Sequence, residues 1–301
     1  MQVFRCVLSI SLVLTLSGCG SGAKAPEGAT APGTTMPVEA AKPVVTQPAK
    51  PDTLSGKIVI TGASTLSALT AELGKKFEKM HPNVRVDVQA GGSARGITDT
   101  RTGAADIGMC SRALKDDEKE LHPFLVAMDG VCIILHKDNP VKELSDAQVI
   151  DIYLGKIVNW KEVGGPDAPI TVVNKAEGRS TLELFCHFYK LKNSDIKAHV
   201  VIGDNEQGVK TVCGNQNAIG YVSVGTAEYD ASQGVPIKLL ATHGAAATLE
   251  NVKNKSFPLS RELNLVTKAE PQGLAKAFID FACSKDANEC IKEQFFVPVK
   301  E

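Results

Sequence analysis

From Gly56 onward the chain alternates short apolar runs with longer amphipathic ones, and this alternation restricts the fold more than any other feature. Residues 57–61 (KIVIT) read as a buried strand, and 84–88 as a second strand of alternating polarity. Between them, 65–80 carries Leu66, Leu69, Leu73 and Phe77 at helical spacing. The pattern continues with a short helix after Ser93 and strands at 106–109 and 131–135. A helix over 145–154 opens on a Ser145-x-x-Gln148 capping box. A strand at 170–173, a helix over 180–191 and strands at 218–222, 237–241 and 262–267 follow, and the last helix carries Leu274, Phe278 and Phe281. Such βα alternation predicts an α/β fold with helices on both faces of mostly parallel sheets. About 245 residues in this pattern suit two lobes.

Composition closes off other classes. With 43% hydrophobic and 22% charged residues and a formal charge of -1, the chain is too apolar for disorder and lacks the basic excess of a nucleic-acid binder. The N-terminus sets the compartment. Arg5, the apolar stretch 6–16 and the small residues Ser17 and Gly18 form a secretory signal, too short to span a bilayer, which takes about 20 apolar residues. Leu16-Ser17-Gly18-Cys19 is similar to a bacterial lipobox, so Cys19 is expected to be acylated and the protein anchored at a membrane surface. Residues 20–55, with six prolines among Ala, Thr and Val, read as a tether reaching from about 35 Å as a coil to about 110 Å if extended.

Eight cysteines are present. With Cys6 removed and Cys19 acylated, Cys110, Cys132, Cys186, Cys213, Cys283 and Cys290 remain in an oxidising compartment. Pairing is plausible there, with Cys283 and Cys290 the best local pair, and buried free thiols are the alternative. No CxxC or HExxH spacing suggests a metal.

Four strand-to-helix turns are rich in hydroxyls, glycine or cations. They are Gly62-Ala63-Ser64-Thr65-Leu66, Gly91-Gly92-Ser93-Ala94-Arg95-Gly96, Cys110-Ser111-Arg112 and Lys175-Ala176-Glu177-Gly178-Arg179-Ser180-Thr181. In the last, Ser180-x-x-Glu183 reads as a capping box. Each turn alone is compatible with ordinary helix capping. Together they supply the N–H donors, hydroxyls and positive charge that a dehydrated oxyanion requires.

At these turns the sequence resembles the PstS-type phosphate-binding proteins, solute receptors of bacterial phosphate ABC transporters. The resemblance covers roughly 57–301 and is carried by Gly62-Ala63-Ser64-Thr65, Ala105-Asp106-Ile107-Gly108, Asp129-Gly130-Val131, the run from Ile152 through Gly155-Lys156-Ile157-Val158-Asn159-Trp160 to Gly165, Ala218-Ile219-Gly220-Tyr221-Val222-Ser223 and Pro258-Leu259-Ser260-Arg261. It implies a type II periplasmic-binding-protein fold, two α/β lobes joined by crossing hinge strands. Lobe 1 is then expected over 56–135 and 239–301 and lobe 2 over 136–238, after a signal at 1–18 and a lipidated tether at 19–55. Lys156, Asn159 and Trp160 are expected to be structural.

Matching the family's ligand turns points to Ser64, Thr65, Leu66 through its backbone N–H, Ser93, Ser111, Lys175, Arg179, Ser180 and Thr181 as phosphate-binding residues. Some relatives carry aspartate where Ser111 stands, an acceptor for the proton of phosphate. Others carry serine. Arg179 is expected to replace an arginine found further upstream in the family, and to contribute more to affinity than Lys175. The implied function is capture of inorganic phosphate and delivery to an ABC permease, without catalysis, cofactor, metal or nucleic acid, by a monomer anchored on the periplasmic side of a bacterial membrane. The alternatives are another tetrahedral oxyanion (sulfate, molybdate, arsenate), a secreted phosphatase of related fold, or an anion sensor.

Overall fold

The structure is a computed structural model and describes residues 54–300. Cys19 and the segment before residue 54 lie outside the described residues.

Among the described residues, ten strands and nine α-helices follow one another. The first part runs β1 (Gly56–Gly62), α1 (Ser64–Met80), β2 (Val84–Ala90), α2 (Ser93–Thr102), β3 (Ile107–Cys110) and β4 (His122–His136). The second runs α3 (Asp146–Tyr153), β5 (Thr171–Lys175), α4 (Ser180–Tyr189), β6 (Val200–Ile202), α5 (Asn205–Cys213), β7 (Ala218–Ser223), α6 (Val224–Ser232), β8 (Ile237–Leu239) and α7 (Leu249–Lys253). The chain ends with β9 (Ser260–Thr267), α8 (Gly273–Ala282), α9 (Asn288–Glu293) and β10 (Val297–Pro298).

The strands follow the order β2-β1-β3-β9-β4-β7-β5-β6, with β8 and β10 also paired to β4. The βα units pair in parallel as expected, β1 with β2 and β3, and β5 with β6 and β7. Every pairing made by β4 and β9 is antiparallel, so the sheet is mixed rather than mostly parallel. One long strand explains this: β4 pairs with β9 over its first half and with β7 and β8 over its second. It thus belongs to both lobes of a type II periplasmic-binding-protein fold.

Each lobe has its own core. In the first, the apolar face of α1 (Leu66, Leu69, Leu73, Phe77) is buried against α8. Phe77 meets Phe278 edge to face at 5.4 Å. Burying each of these side chains contributes about 1.5–3 kcal/mol, so Leu73→Ala would cost about 2–5 kcal/mol including the cavity it leaves. In the second, Phe185 of α4 stacks flat on Tyr221 of β7 at 3.9 Å. The segment after β8 packs Leu240, Val252, Phe257 and Leu259 into this second core, and the chain returns to the first with β9.

Lys156, Asn159 and Trp160 have the structural roles expected of them. Trp160 is buried and donates its indole N–H to Asn217 O at 2.9 Å, Asn159 caps the short helical turn Trp160–Val163, and Lys156 pairs with Asp151 at 2.9 Å. The expected Cys283–Cys290 pair is not formed: all six cysteines in the described residues are free. Cys283 follows α8 and its thiol faces Leu125 O, while Cys290 is buried on α9 in the first core.

Candidate anion-binding site

The first N–H groups of any helix lack an intrahelical partner, and a side chain usually caps them. Here Ser145, Asp204, Ser223 and Thr248 cap α3, α5, α6 and α7 in this way. No side chain caps α1, α2 or α4. These three open from the hydroxyl-rich turns; α8 and α9, also without a side-chain cap, do not. Their N-cap residues are Ala63, Gly92 and Arg179, so Ser64, Ser93 and Ser180 are first helical residues rather than caps. The capping box read at Ser180-x-x-Glu183 is therefore absent, because Arg179 takes the N-cap position in extended conformation.

Backbone contacts join the turns. Gly91 N and Gly92 N donate to Gly62 O at 2.8 Å, and Ala63 N donates to Met109 O at 2.9 Å, which fixes the first three turns together in lobe 1. Across the cleft, Ala94 N donates to Gly178 O at 3.3 Å. Gly92 permits this approach: its φ is +97°, and a Cβ there would lie 2.6 Å from Gly178 O.

Side chains complete the cluster. Ser93 Oγ accepts from Ser111 N at 3.1 Å. Ser111 is fully buried, and among the described residues its hydroxyl has no hydrogen-bond partner. Thr65 Oγ1 and Thr181 Oγ1, from opposite lobes, both accept from Arg261, at 3.3 and 3.0 Å. Lys175 is 2% exposed and donates to Asn205 Oδ1 at 2.8 Å, and Asn205 in turn reaches Thr65 Oγ1 at 3.5 Å. Burial first, and then the fields of Arg261 and Arg179, bring the Lys175 ammonium down to about 7. A cavity of about 440 Å³ opens beside this cluster, lined by Ser64, Thr65 and Asn205 on one side and Tyr229 and Phe295 on another.

The structure thus brings Ser64, Thr65, Ser93, Ser111, Lys175, Ser180 and Thr181 to one place. Two expected residues sit differently. The Leu66 N–H already donates to Ala63 O at 3.1 Å, and its side chain is in the first core. Arg179 is half-buried with its Cδ against Gly92, and among the described residues its guanidinium makes no hydrogen bond or ion pair.

Three residues of the cluster were not assigned to the site from sequence. Arg261 on β9 lies between the lobes, held by Asp129 of β4 through Nε at 2.9 Å and Nη2 at 2.7 Å. Asp129 is spent in that position. Its Oδ1 accepts from Ser223 Oγ at 2.9 Å and Gly225 N at 3.3 Å, and its Oδ2 takes both arginine bonds. Asn205 opens α5, a helix absent from the sequence reading. A signal existed for the pair: Asp129 interrupts the apolar run of β4 and Arg261 lies in β9, where a buried charge is kept only with a partner.

The fold is that of the type II periplasmic-binding-protein class, with ligand-facing groups collected where two lobes meet. The family described as a PBP superfamily domain matches residues 47–286. The phosphate-binding protein PstS of Bacillus subtilis is 30% identical over 252 residues, covering 82% of each chain. A substrate-binding protein assigned to a phosphate ABC transporter of Clostridium perfringens, solved with phosphate bound, superposes with a TM-score of 0.75 at 34% identity, over 81% of this chain and all of that one. An ABC-type phosphate transport receptor from Vibrio cholerae gives 0.68 at 31% identity, over 80% of this chain and 99% of its own. The chain belongs to the PstS-type phosphate-binding protein family.

Proposed function

We propose that this protein captures inorganic phosphate between its lobes and delivers it to an ABC permease, without chemical conversion of the ligand. One observation carries the reading: three helix N-termini without side-chain caps converge with a buried lysine, an arginine held between the lobes and an unpartnered buried hydroxyl. An oxyanion satisfies all of these at once. Charge-assisted hydrogen bonds contribute about 1.5–3 kcal/mol each, so several offset the cost of drying the anion. Ser64, Thr65, Ser93, Ser111, Lys175, Ser180 and Thr181 form the ligand set in this reading, with Arg261 added and Arg179 as an outer cation. Delivery to a permease is supported by the transporter receptors of C. perfringens and V. cholerae to which the chain is similar. In this reading lobe 1 is 56–135 with 260–301 and lobe 2 is 136–259, a return to the first lobe at β9 instead of 239 that the packing of Leu240, Val252, Phe257 and Leu259 supports.

The extracytoplasmic, lipid-anchored location rests on residues 1–55, through the lipobox-like Cys19 and the proline-rich stretch behind it. Among the described residues no helix is long and apolar enough to cross a membrane. A Cys19→Ser variant that still carries acyl chains by mass spectrometry would remove the anchor from this reading.

A second reading, a broader oxyanion receptor, is favoured by one feature. Ser111 stands where relatives can carry aspartate, and both oxygens of Asp129 are already occupied, so neither offers a free carboxylate to a protonated ligand. Calorimetric titration with phosphate and with sulfate separates the two. Phosphate heat with weak or absent sulfate heat is expected for a phosphate receptor; comparable heats support the broader one; sulfate alone refutes the phosphate assignment.

A further inference from the structure

Glu183 is the fourth residue of α4, one of the helices whose N-terminus faces the candidate site. From that position it reaches across the cleft instead of back to its own helix. Its Oε2 accepts from Arg112 Nε at 2.5 Å and its Oε1 accepts from Lys115 Nζ at 3.1 Å, both in the other lobe. Arg112 is prepared for this contact within its own lobe. Its Nη1 and Nη2 donate to Glu118 at 2.6 and 2.9 Å, and its carbonyl accepts from Asn264 Nδ2 at 3.2 Å and from the Cys110 thiol at 3.3 Å. The Arg112 side chain is 10% exposed and that of Glu118 8%. Burial works against the Arg112 charge, but the hydrogen bonds to Glu118 and the nearby acidic groups hold its pKa above the ordinary arginine value.

Two consequences follow for an anion in the cleft. Arg112 is the residue after Ser111, and Glu183 lies in the first turn of α4, so this contact joins two walls of the site without touching its centre. Charge acts in the same direction. An unpaired carboxylate in the first turn of α4 competes with a bound anion for the positive end of the helix dipole. In the closed arrangement two cations from the opposite lobe neutralise it. Closure therefore fixes the geometry and removes a repulsion together.

We propose that Arg112, Lys115 and Glu183 form an ionic clasp between the lobes, and that these positioning residues set how long the cleft holds its anion. The proposal rests on the oxyanion-binding reading above. It is tested on the whole protein with inorganic phosphate, by calorimetry for affinity and stopped-flow for association and release. Glu183→Gln keeps size and removes charge; it is expected to release phosphate about tenfold faster at nearly unchanged association rate. Thermal unfolding of the phosphate-free variant should match the parent. Lys115→Ala, at a half-exposed position, is expected to act in the same direction and more weakly. Raising ionic strength should narrow the gap in release rate between the parent and Glu183→Gln, because only the parent has the clasp to screen. Release rates in both variants equal to the parent's, with the parent binding phosphate, overturn the clasp alone. A parent that gives no phosphate heat overturns the binding reading on which it stands. Loss of stability in phosphate-free Glu183→Gln with an unchanged release rate assigns the residue a purely structural role and likewise ends the proposal.

Discussion

Ser111 carries the sharpest test at the scale of single residues. Its hydroxyl is buried without a partner among the described residues, so removing it takes away no bond that holds the fold together. Ser111→Ala is expected to leave chemical denaturation of the phosphate-free protein unchanged or slightly stabilised. Phosphate affinity should drop by about tenfold to a hundredfold, the value of one charge-assisted hydrogen bond. Lys175 gives a test by pH. Its pKa is lowered to about 7, chiefly by burial and then by Arg261 and Arg179. A bound anion favours the ammonium and raises that pKa again. The charge is present below the free value and lost as pH rises through it, so affinity weakens above neutrality by up to about tenfold per pH unit. Calorimetry from about pH 7.5 to 9.5 checks this, and Lys175→Arg, which keeps its charge throughout, should flatten the profile. Lys175→Met should also cost more affinity than Arg179→Ala, reversing the order read from sequence, since Lys175 is buried in the cleft and Arg179 lies at its edge. The hydroxyls were legible because Gly, Ser and Thr directly follow apolar runs. Arg261 and Asp129 were not, because only tertiary pairing between β9 and β4 brings them to the turns.

At the scale of elements, α1, α2 and α4 follow Ala, Gly and Arg, where α3, α5, α6 and α7 follow the capping residues Ser, Asp, Ser and Thr; α8 and α9 also lack a side-chain cap but do not open from the hydroxyl-rich turns. Residues that cannot cap leave donors for a ligand. Gly92 adds a geometric condition, because it lets the start of α2 approach the Gly178 carbonyl in the opposite lobe. Gly92→Ala is expected to cost about 1–3 kcal/mol of stability from its positive φ and leave a folded protein. Its Cβ, 2.6 Å from that oxygen, should hold the lobes apart, so small-angle scattering shows no compaction on adding phosphate and affinity falls by more than about tenfold. Compaction equal to the parent's would show that closure does not bring α2 to Gly178. Elements with strong periodicity were readable, as with α1 and the Ser145 capping box of α3. The first half of β4 was not, since His122, Pro123 and Asp129 break the apolar pattern and β9 supplies the reason for a strand there. Glu183 shows the limit of a local motif. Its spacing from Ser180 matches a capping box, yet the partner that takes its carboxylate is in the other lobe.

At the scale of the molecule, β4 is common to both lobes and joins the two cores. Asp129 and Arg261 sit on the two strands that cross, and the same guanidinium reaches Thr65 in one lobe and Thr181 in the other. An anion bound there joins both lobes, so its binding energy should appear as stability of the whole described unit instead of one half. With free phosphate at a thousand times its dissociation constant, mass action adds about 4 kcal/mol, which raises the melting temperature of a unit this size by about 8 to 16 °C. Scanning calorimetry should show one transition moving as a whole. If binding engages one lobe only, the other should melt where it did without phosphate and the transition should split. Sulfate at the same concentration provides the comparison: a shift as large as that from phosphate would mean that the donors of the cleft read tetrahedral shape and charge alone, as expected of a site whose acceptor carboxylate is already bound to Arg261.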